Sequence, residues 1–335
     1  EIDKPRPYFL GKLTYLVSAV VAKEALDGKN EIRNVEQMVG TGPFKATSYE
    51  PAQMLKLAAN EDYHGGRPAL DAIERPVITD SATRLNKYRT GELDLCYIQR
   101  QDVKGIQEDP KFASQLTFYS RPSIYYVGIN VTGKDYAAFK DIRVRQAIAM
   151  AIDRERIAKD IFGGINEPAY SIVPPGVLGH REKGAYIPYD PAKAKQLLAE
   201  AGYPDGKGLP PVEFRFRDGQ RDVSLVAEEI VSQLKTNLNI TLNPRITEWK
   251  AYLERYNKGQ NAIYHMRWAA DYLDPQNFLS HMLATGSPEN HHGYSNPRFD
   301  ALCAEADAML DNDKRLPLYA EAEDIALQDA TWIPI

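Results

Sequence analysis

The sequence predicts an α/β protein that folds into more than one compact unit. The chain has 335 residues, and a single hydrophobic core rarely extends beyond about 250–300 residues. Short alternating and β-branched runs are interleaved with amphipathic segments of helical period, which is typical of sheets covered by helices. No apolar run approaches the roughly 20 residues of a membrane-spanning helix.

Composition excludes several classes of protein. Hydrophobic residues make up 43% and charged residues 26%, and the formal net charge of -5 argues against a nucleic-acid-binding protein. Cys96 and Cys303 lie in no metal-binding spacing, and both are interpreted as buried thiols, with a disulfide between them as the alternative. Residue 1 is Glu and the sequence stops at TWIPI, so we expect a processed or truncated piece of a longer chain.

The first third of the chain predicts one α/β unit. Residues 1–44 begin with a helical pattern and run to the turn GTGPF. KATSYEPAQMLKLAAN predicts two short strands joined by a turn, and IERPVITD predicts a third. Ser81 is a candidate cap for a short helix that ends at Gly91, and LDLCYI then predicts a buried strand. Strand, helix and strand in this order indicate a βαβ unit.

A strand and a long helix follow. LTFYSRPSIYYVGINVT alternates, which predicts two faces, one with Ile124, Tyr126 and Gly128 and the other with Tyr125, Val127 and Ile129. Apolar residues at helical spacing predict one helix over residues 141–162, stopped by two glycines. We interpret its arginines as a solvated or ion-paired face, namely Arg143, Arg145, Arg154 and Arg156.

The second half predicts a separate α/β unit. DPAKAKQLLAEAGY is a helix with an Asp190 cap and Pro191 at its first position. The strands VEFRFR, ITLNPRITE and NAIYHMRW alternate with two helical segments, which predicts a βαβαβ series. Two closing helices lead to the strand TWIPI.

The stretch RWAADYLDPQNFL, residues 267–279, brings Trp268, Asp271, Tyr272 and Asp274 close together. Two aromatic rings beside a carboxylate suit a cationic group, through charge-assisted hydrogen bonds and cation–π attraction of roughly 0.5–2 kcal/mol. The stretch also follows a strand, and α/β proteins bind ligands at the carboxyl ends of strands. The plain alternative is that Trp268 belongs to the core and Asp271 caps a turn.

Two other kinds of chemistry compete with binding. Asp271 and Asp274 could form the carboxylate pair of a hydrolase, although glycosidase acids usually come from different elements. His281, His291 and His292 could hold a transition metal, but their flanks resemble exposed loops and adjacent histidines in a strand face opposite ways. No GxSxG, HExxH or GxxxxGK[ST] motif occurs. The sequence therefore indicates no cofactor and no resident metal.

The chain resembles the substrate-binding proteins of ABC transporters, in the peptide, opine and nickel cluster that includes the dipeptide- and oligopeptide-binding proteins. The similar stretches cover nearly the whole chain and come in family order: VGTGPFKATSYEP, LAANEDYHGGRPALDAI, RTGELDLCYI, YYVGINVTGKDYAAFKDIRVRQAIAMAIDRERI, AKQLLAEAGYPDG, WAADYLDPQNFL and FDALCAEADAMLDNDKRLPLYAEAEDI. Two positions depart from the pattern, His64 where the family usually has Trp and Leu273 where it usually has Pro.

The resemblance implies a two-lobe fold of the periplasmic-binding-protein type (class II, Venus-flytrap), with mixed sheets flanked by helices. Residues 1–128 would be part of the first lobe, residues 129–328 the second lobe with the WAADY motif, and residues 329–335 a strand returning to the first lobe. The hinge would lie near Gly128–Val131 and near Asp329–Trp332.

The resemblance also implies a receptor and not an enzyme. It would be a monomer that captures a di- or oligopeptide between its lobes and delivers it to a membrane permease. A nickel chelate, opine or oligosaccharide is the alternative cargo. The receptor would be periplasmic or extracellular, held at the membrane through a signal or lipid anchor that this chain does not contain.

Within that family the acid of the motif holds the α-ammonium of the peptide, and this role falls on Asp271. Trp268 and Tyr272 would shape the pocket around it. Further ligand contacts are expected from residues of the lobe-crossing strand and of the strand that precedes the motif, namely Tyr125, Tyr126, Asn130, His265 and Arg267.

Overall fold

The structure is a computed structural model that describes residues 4–26, 28, 31–32 and 34–335. Two compact units are present. The larger unit comprises the residues up to Leu16 together with Tyr119–Ile335, and the smaller unit comprises Val17–Phe118. Within the first residues a short helix, α1, spans Phe9–Leu13. No described helix is both long enough and apolar enough to cross a bilayer.

The smaller unit contains a three-stranded antiparallel sheet of β1 (Phe44–Glu50), β2 (Met54–Ala59) and β3 (Ala72–Pro76), in that order. The first two strands are joined by a tight turn, as the sequence predicts. Two helices follow, α2 (Ser81–Arg89) and α3 (Arg100–Gln107). The cap of α2 is Asp80 rather than Ser81, because the Asp80 carboxylate accepts the backbone N–H of Thr83 at 2.7 Å.

The prediction of a buried strand at LDLCYI is wrong. The described chain forms no strand there, and the side chains of Leu95 and Tyr97 are 89% and 78% exposed. A strand must exchange backbone hydrogen bonds with a neighbour, and no described strand pairs with this segment. The predicted βαβ unit is therefore absent as well, since β1, β2 and β3 pair only with antiparallel neighbours.

The two cysteines differ from the prediction in one respect. Cys303 is buried, with 1% of its surface exposed, but Cys96 is only half-buried because its strand does not form. Both thiols are free.

The larger unit is organised around a five-stranded mixed sheet in the order β6-β5-β7-β4-β8. The strands are β4 (Ser123–Ile129), β5 (Val212–Arg217), β6 (Leu242–Thr247), β7 (Ile263–Ala269) and β8 (Trp332–Pro334). β5 runs parallel to β6 and β7, and β4 runs antiparallel to β7 and β8. The parallel part confirms the predicted βαβαβ series.

Helices cover both faces of this sheet, which confirms the predicted α/β class with a mixed sheet flanked by helices. The helices are α4 (Ile142–Met150), α5 (Arg154–Arg156), α6 (Pro191–Glu200), α7 (Arg221–Leu238), α8 (Trp249–Asn257), α9 (Ser280–Leu283), α10 (Pro297–Ala308) and α11 (Asn312–Asp329). Residues of α4, α6 and α7 form the core on one face. Residues of α8 to α11 form the core on the other.

The alternation predicted for β4 is confirmed. Ile124 and Tyr126 join the core beneath α8 to α11, whereas Val127 and Ile129 join the opposite core. The packing around Gly128 explains why this position is occupied by glycine. A Cβ at this position would lie 2.2 Å from the ring of Tyr264, so only glycine leaves room for that side chain.

The long helix predicted over residues 141–162 is broken after Met150. Asp153 caps a new turn, because its carboxylate accepts the backbone N–H of Arg156 at 3.0 Å. The backbone N–H of Asp153 itself donates to the side chain of Gln233 on α7, at 2.6 Å. A local side-chain cap and a tertiary hydrogen bond thus interrupt a continuous helical pattern.

The prediction of a solvated arginine face is wrong for Arg145 and Arg154, which are 7% and 5% exposed. Their guanidinium groups donate to backbone carbonyls near the end of the chain, Arg145 to Asp329 at 2.7 Å and Arg154 to Pro334 at 2.6 Å. Burial lowers the pKa of Arg154 to about 10. The other two arginines of the pattern are exposed, as predicted.

Each predicted hinge segment overlaps a strand of the larger unit's sheet, β4 at Gly128 and Ile129 and β8 at Trp332. The backbone N–H of Ile129 donates to Thr331, and that of Asn130 donates to Ala262, each at 2.8 Å. Strand β8 pairs with β4. The lobe limits at residues 128 and 328 stay a prediction, and the division that the structure shows falls at residues 16/17 and 118/119.

Candidate functional site

Strand β7 leads directly into the motif. Its residues alternate between the two faces of the sheet, and Trp268 packs at the edge of the core that includes Tyr264 and Met266. The chain then turns, and Pro275–Asn277 forms a short 3₁₀ helix. Asp274 caps this helix, because its carboxylate accepts the backbone N–H of Gln276 at 3.0 Å.

Asn277 joins the two central residues of the motif. Its side-chain oxygen accepts the indole N–H of Trp268 at 3.1 Å and the backbone N–H of Asp271 at 3.0 Å. Its side-chain nitrogen lies 3.4 Å from Oδ2 of Asp271. Asn277 is fully buried. Sequence reasoning missed this residue, although an asparagine that closely follows Asp-Pro is a common turn former.

Asp271 is half-buried. Its negative charge, together with a hydrogen bond between its carboxylate and the Tyr15 hydroxyl, raises the pKa of Tyr15. The phenol is 43% exposed. The carboxylate thus lies at the surface of the larger unit, with one of its faces towards Tyr15.

Tyr272 was expected to line an open pocket, but the structure buries it. It is 7% exposed, and its ring stacks on Tyr8 with centroids 6.0 Å apart. The Lys12 ammonium lies 5.5 Å from the ring centroid, and a Cβ at Gly11 would contact the Tyr272 side chain at 3.2 Å. Burial raises the pKa of Tyr272, and its hydroxyl donates to the side chain of Gln276. Helix α1 therefore covers this ring.

Asp274 is the buried anchor of the motif loop. Its two oxygens accept hydrogen bonds from Arg315 at 2.6 and 2.9 Å. The side chains of Arg315 and Asp274 are 1% and 11% exposed. A carboxylate bound in this way is not available for acid–base chemistry beside Asp271, which removes the main support for the hydrolase alternative.

His281 is a further neighbour that the motif alone does not identify. Its ring lies 5.8 Å from that of Trp268, and it is half-buried. Burial lowers the pKa of His281, while the charges of Glu289 and Asp271 oppose this shift. The described part of the chain offers no hydrogen bond to its imidazole, so this group faces the Asp271 surface with unused hydrogen-bonding capacity.

Three ligand contacts were expected from β4 and the residue that follows it. One of these residues is partly accessible, and the other two are buried in the core. Tyr125 is half-buried and stacks on His265, with centroids 5.6 Å apart. Tyr126 has no exposed surface, and its hydroxyl lies 3.0 Å from that of Tyr256. Asn130 is also fully buried. Its amide donates to the Gly259 carbonyl at 2.8 Å, so it serves the fold here and offers no surface to a ligand.

The two residues expected from β7 also differ. His265 is 2% exposed, and burial lowers its pKa to about 4. Its Nε2 has no hydrogen-bond partner within the described residues. Arg267 is exposed and makes no ion pair with any described residue. His265 and Arg267 lie on the same side of β7, as predicted, but only Arg267 reaches the surface.

Among the described residues, no group of three or more histidine, cysteine, aspartate or glutamate side chains is placed to hold a metal ion. The ring nitrogens of His292 are buried and unpartnered within the same part of the chain.

Comparison with known proteins identifies the family. The family described as bacterial extracellular solute-binding proteins, family 5 (middle), matches residues 1–290. The chain belongs to this family. Family 5 comprises substrate-binding proteins, in agreement with the fold and with the resemblance of the sequence.

Two curated relatives are named for different ligands. The heme-binding protein A of Haemophilus influenzae is 33% identical over 345 residues, which is 100% of this chain and 61% of that protein. The di/tripeptide-binding protein 2 of Pseudomonas aeruginosa is 30% identical over 349 residues, 100% of this chain and 63% of that protein. The chain thus spans less than two thirds of the length of these relatives.

A solved structure agrees with the fold. The ABC transporter-associated periplasmic binding protein DppA of Helicobacter pylori, solved in complex with the peptide STSA, has a TM-score of 0.84 and 27% identity. The match covers 99% of this chain and 65% of that one. The likeness to this periplasmic binding protein confirms the predicted fold class.

Proposed function

We propose that this chain is the peptide-binding part of an extracytoplasmic receptor for an ABC importer. The observation that carries the proposal is the half-buried carboxylate of Asp271, presented at the end of β7 beside Trp268 and oriented by Asn277. A half-buried carboxylate that Asn277 contacts on one side and the exposed Tyr15 phenol meets on the other suits an ammonium group, which can take the place of the phenol. The di/tripeptide-binding relative and the peptide complex support peptides as the cargo.

The receptor acts by binding alone. One charge-assisted pair with the ligand's ammonium, together with contacts to the peptide backbone, supplies the roughly 8 kcal/mol of a micromolar complex. Trp268 provides flat apolar area next to the charge. Asp274 is bound to Arg315 and so does not pair with Asp271 as an acid or base.

The partner would be a membrane permease that receives the peptide, and the compartment would be periplasmic or extracellular. The periplasmic relatives support both proposals. The receptor would act as a monomer at the membrane.

Titration calorimetry with di-, tri- and tetra-alanine tests the proposal. Asp271→Asn keeps the shape of the side chain but removes the charge, so we expect affinity to fall by about 30-fold to 1000-fold, the cost of leaving a buried cation without its partner. Asp205→Asn is the matched control. Asp205 is exposed and has a left-handed backbone conformation with φ 53°, which Asn also adopts readily.

The same experiment separates peptide from other cargo. N-acetylated alanine peptides lack the ammonium and should bind weakly to the unsubstituted protein. Heme is included because one relative carries that name, and a nickel chelate because it is the alternative cargo. Tight heme or nickel binding with no binding of any peptide would overturn the proposal.

A further inference from the structure

The three contacts of Asn277 use both ends of one amide. The oxygen accepts from Trp268 and from the backbone of Asp271, and the nitrogen faces the Asp271 carboxylate. Asn277 is fully buried, and its 3₁₀ turn is fixed by the Asp274–Arg315 pair. An amide is suited to this place because it has an acceptor and two donors.

We propose that Asn277 is a positioning residue, whose amide holds the Asp271 carboxylate and the Trp268 indole in the arrangement that receives the ligand's ammonium. This inference rests on the proposed function of Asp271 and extends it to a residue that never meets the ligand. A serine or an apolar residue here would keep the fold of the turn but leave the carboxylate free to rotate. An aspartate would keep the two accepted hydrogen bonds but replace the donor with a second negative charge.

Asn277→Asp is therefore the informative variant. Two carboxylates about 3.4 Å apart cannot both ionise easily. The pair should therefore hold one proton in a pH range where a single carboxylate is fully ionised. Affinity for tri-alanine should rise by about tenfold between about pH 5.5 and about pH 7, as the pair loses this proton and gains a second charge. The affinity of the unsubstituted protein should change by less than about threefold over the same range.

Other titratable groups near Asp271 are present in both proteins. They include the Tyr15 phenol, the Tyr272 phenol and the His281 imidazole, and His281 also interacts electrostatically with Lys12 and Glu289. Because these groups interact with the new carboxylate, the pH profile is also measured in Asn277→Asp with His281→Gln, in which the rise in affinity should persist if the carboxylate pair causes it.

Asn296→Asp is the matched control. The Asn296 amide likewise faces a carboxylate, with Nδ2 2.8 Å from Oδ2 of Asp329, and its oxygen also accepts backbone N–H groups. The substitution creates a similar pair of carboxylates elsewhere in the larger unit. We expect it to change the melting temperature without changing the pH profile of peptide binding.

A measurement without ligand tests the coupling directly. In ¹⁵N-labelled protein the Trp268 indole N–H should shift with pH in the Asn277→Asp variant over about pH 5.5–7, and not in the unsubstituted protein. If Asp271→Asn leaves peptide binding unchanged, the proposed function fails while this titration still reports on the pair. If Asp271→Asn abolishes binding but Asn277→Asp follows the unsubstituted pH profile with a static indole signal, the inference is overturned.

Asn277→Ser covers the case in which the aspartate variant does not fold. It removes the donor to Asp271 without adding charge. A loss of affinity of about tenfold or more for tri-alanine, with Asp205→Asn unchanged, supports the inference. Unchanged affinity in a folded Asn277→Ser protein contradicts it.

Discussion

Arg315 and Asp274 are joined by two hydrogen bonds of 2.6 and 2.9 Å, across 41 positions of the chain. Both side chains are buried. The pair ties the loop that carries Asp271 to helix α11. The arrangement of the candidate site therefore depends on a contact that lies outside the motif.

Arg315→Leu should destabilise the larger unit strongly, because it leaves the Asp274 carboxylate buried without its partner. We expect the free energy of unfolding to fall by about 3–5 kcal/mol, measured by urea denaturation. Arg298→Leu is the control, since the Arg298–Glu321 pair is 63% and 50% exposed and should contribute less than about 1 kcal/mol. Equal losses in the two variants would contradict this view of Arg315.

Two buried histidines should make the stability of the larger unit fall in acid. Burial lowers the pKa of His265 to about 4 and that of His292 to about 3, so the folded state favours neutral rings. Their full contribution is present above the ordinary histidine pKa of about 6.5 and is lost as the pH falls from there towards 4 and 3. The loss should reach a few kcal/mol.

Tryptophan fluorescence is a suitable readout, because Trp249, Trp268 and Trp332 all belong to the larger unit. Urea unfolding should give a lower free energy of unfolding at about pH 5 than at about pH 7. The difference between the two pH values should be smaller in His292→Gln. The exposed His64 in the smaller unit is the control, since His64→Gln should leave the pH dependence unchanged. A stability that does not depend on pH would contradict the prediction.

Gly128→Ala should destabilise the sheet. Its Cβ would lie 2.2 Å from the Tyr264 ring, which is itself 1% exposed and has little room to move. Overpacking of this kind typically costs about 1–3 kcal/mol, which thermal denaturation would detect. Gly105→Ala provides the contrast, because nothing lies within 4 Å of its added Cβ in helix α3, and it should stabilise slightly.

The two thiols should react at very different rates. Burial raises the pKa of Cys303 to about 12, whereas Cys96 is only half-buried. A thiol-specific chromogenic disulfide should therefore modify one thiol per native chain quickly and the second only after unfolding. Cys96→Ser should abolish the fast phase. A fast phase that persists in this variant would show that the reagent reaches Cys303 in the folded protein, which would contradict the prediction.

Local patterns predicted much of the larger unit. The alternation of β4 and the βαβαβ series from β5 to β7 follow from side-chain periods of 2.0 and 3.6 residues. These periods can be recognised from residues that are close together in the sequence. The same reasoning failed at LDLCYI, because an apolar run does not say whether another strand lies beside it. It also failed at Arg145 and Arg154, whose carbonyl partners come from the far end of the chain.

By itself, the sequence determined the α/β class, the family, and the motif that carries Asp271. Only the tertiary structure decided that Tyr272 stacks on Tyr8, that Asp274 is bound to Arg315, and that Asn277 hydrogen-bonds to Asp271. The physical reason is that secondary structure depends on local periodicity. The neighbours of a buried polar group, in contrast, depend on where distant segments of the chain are brought together.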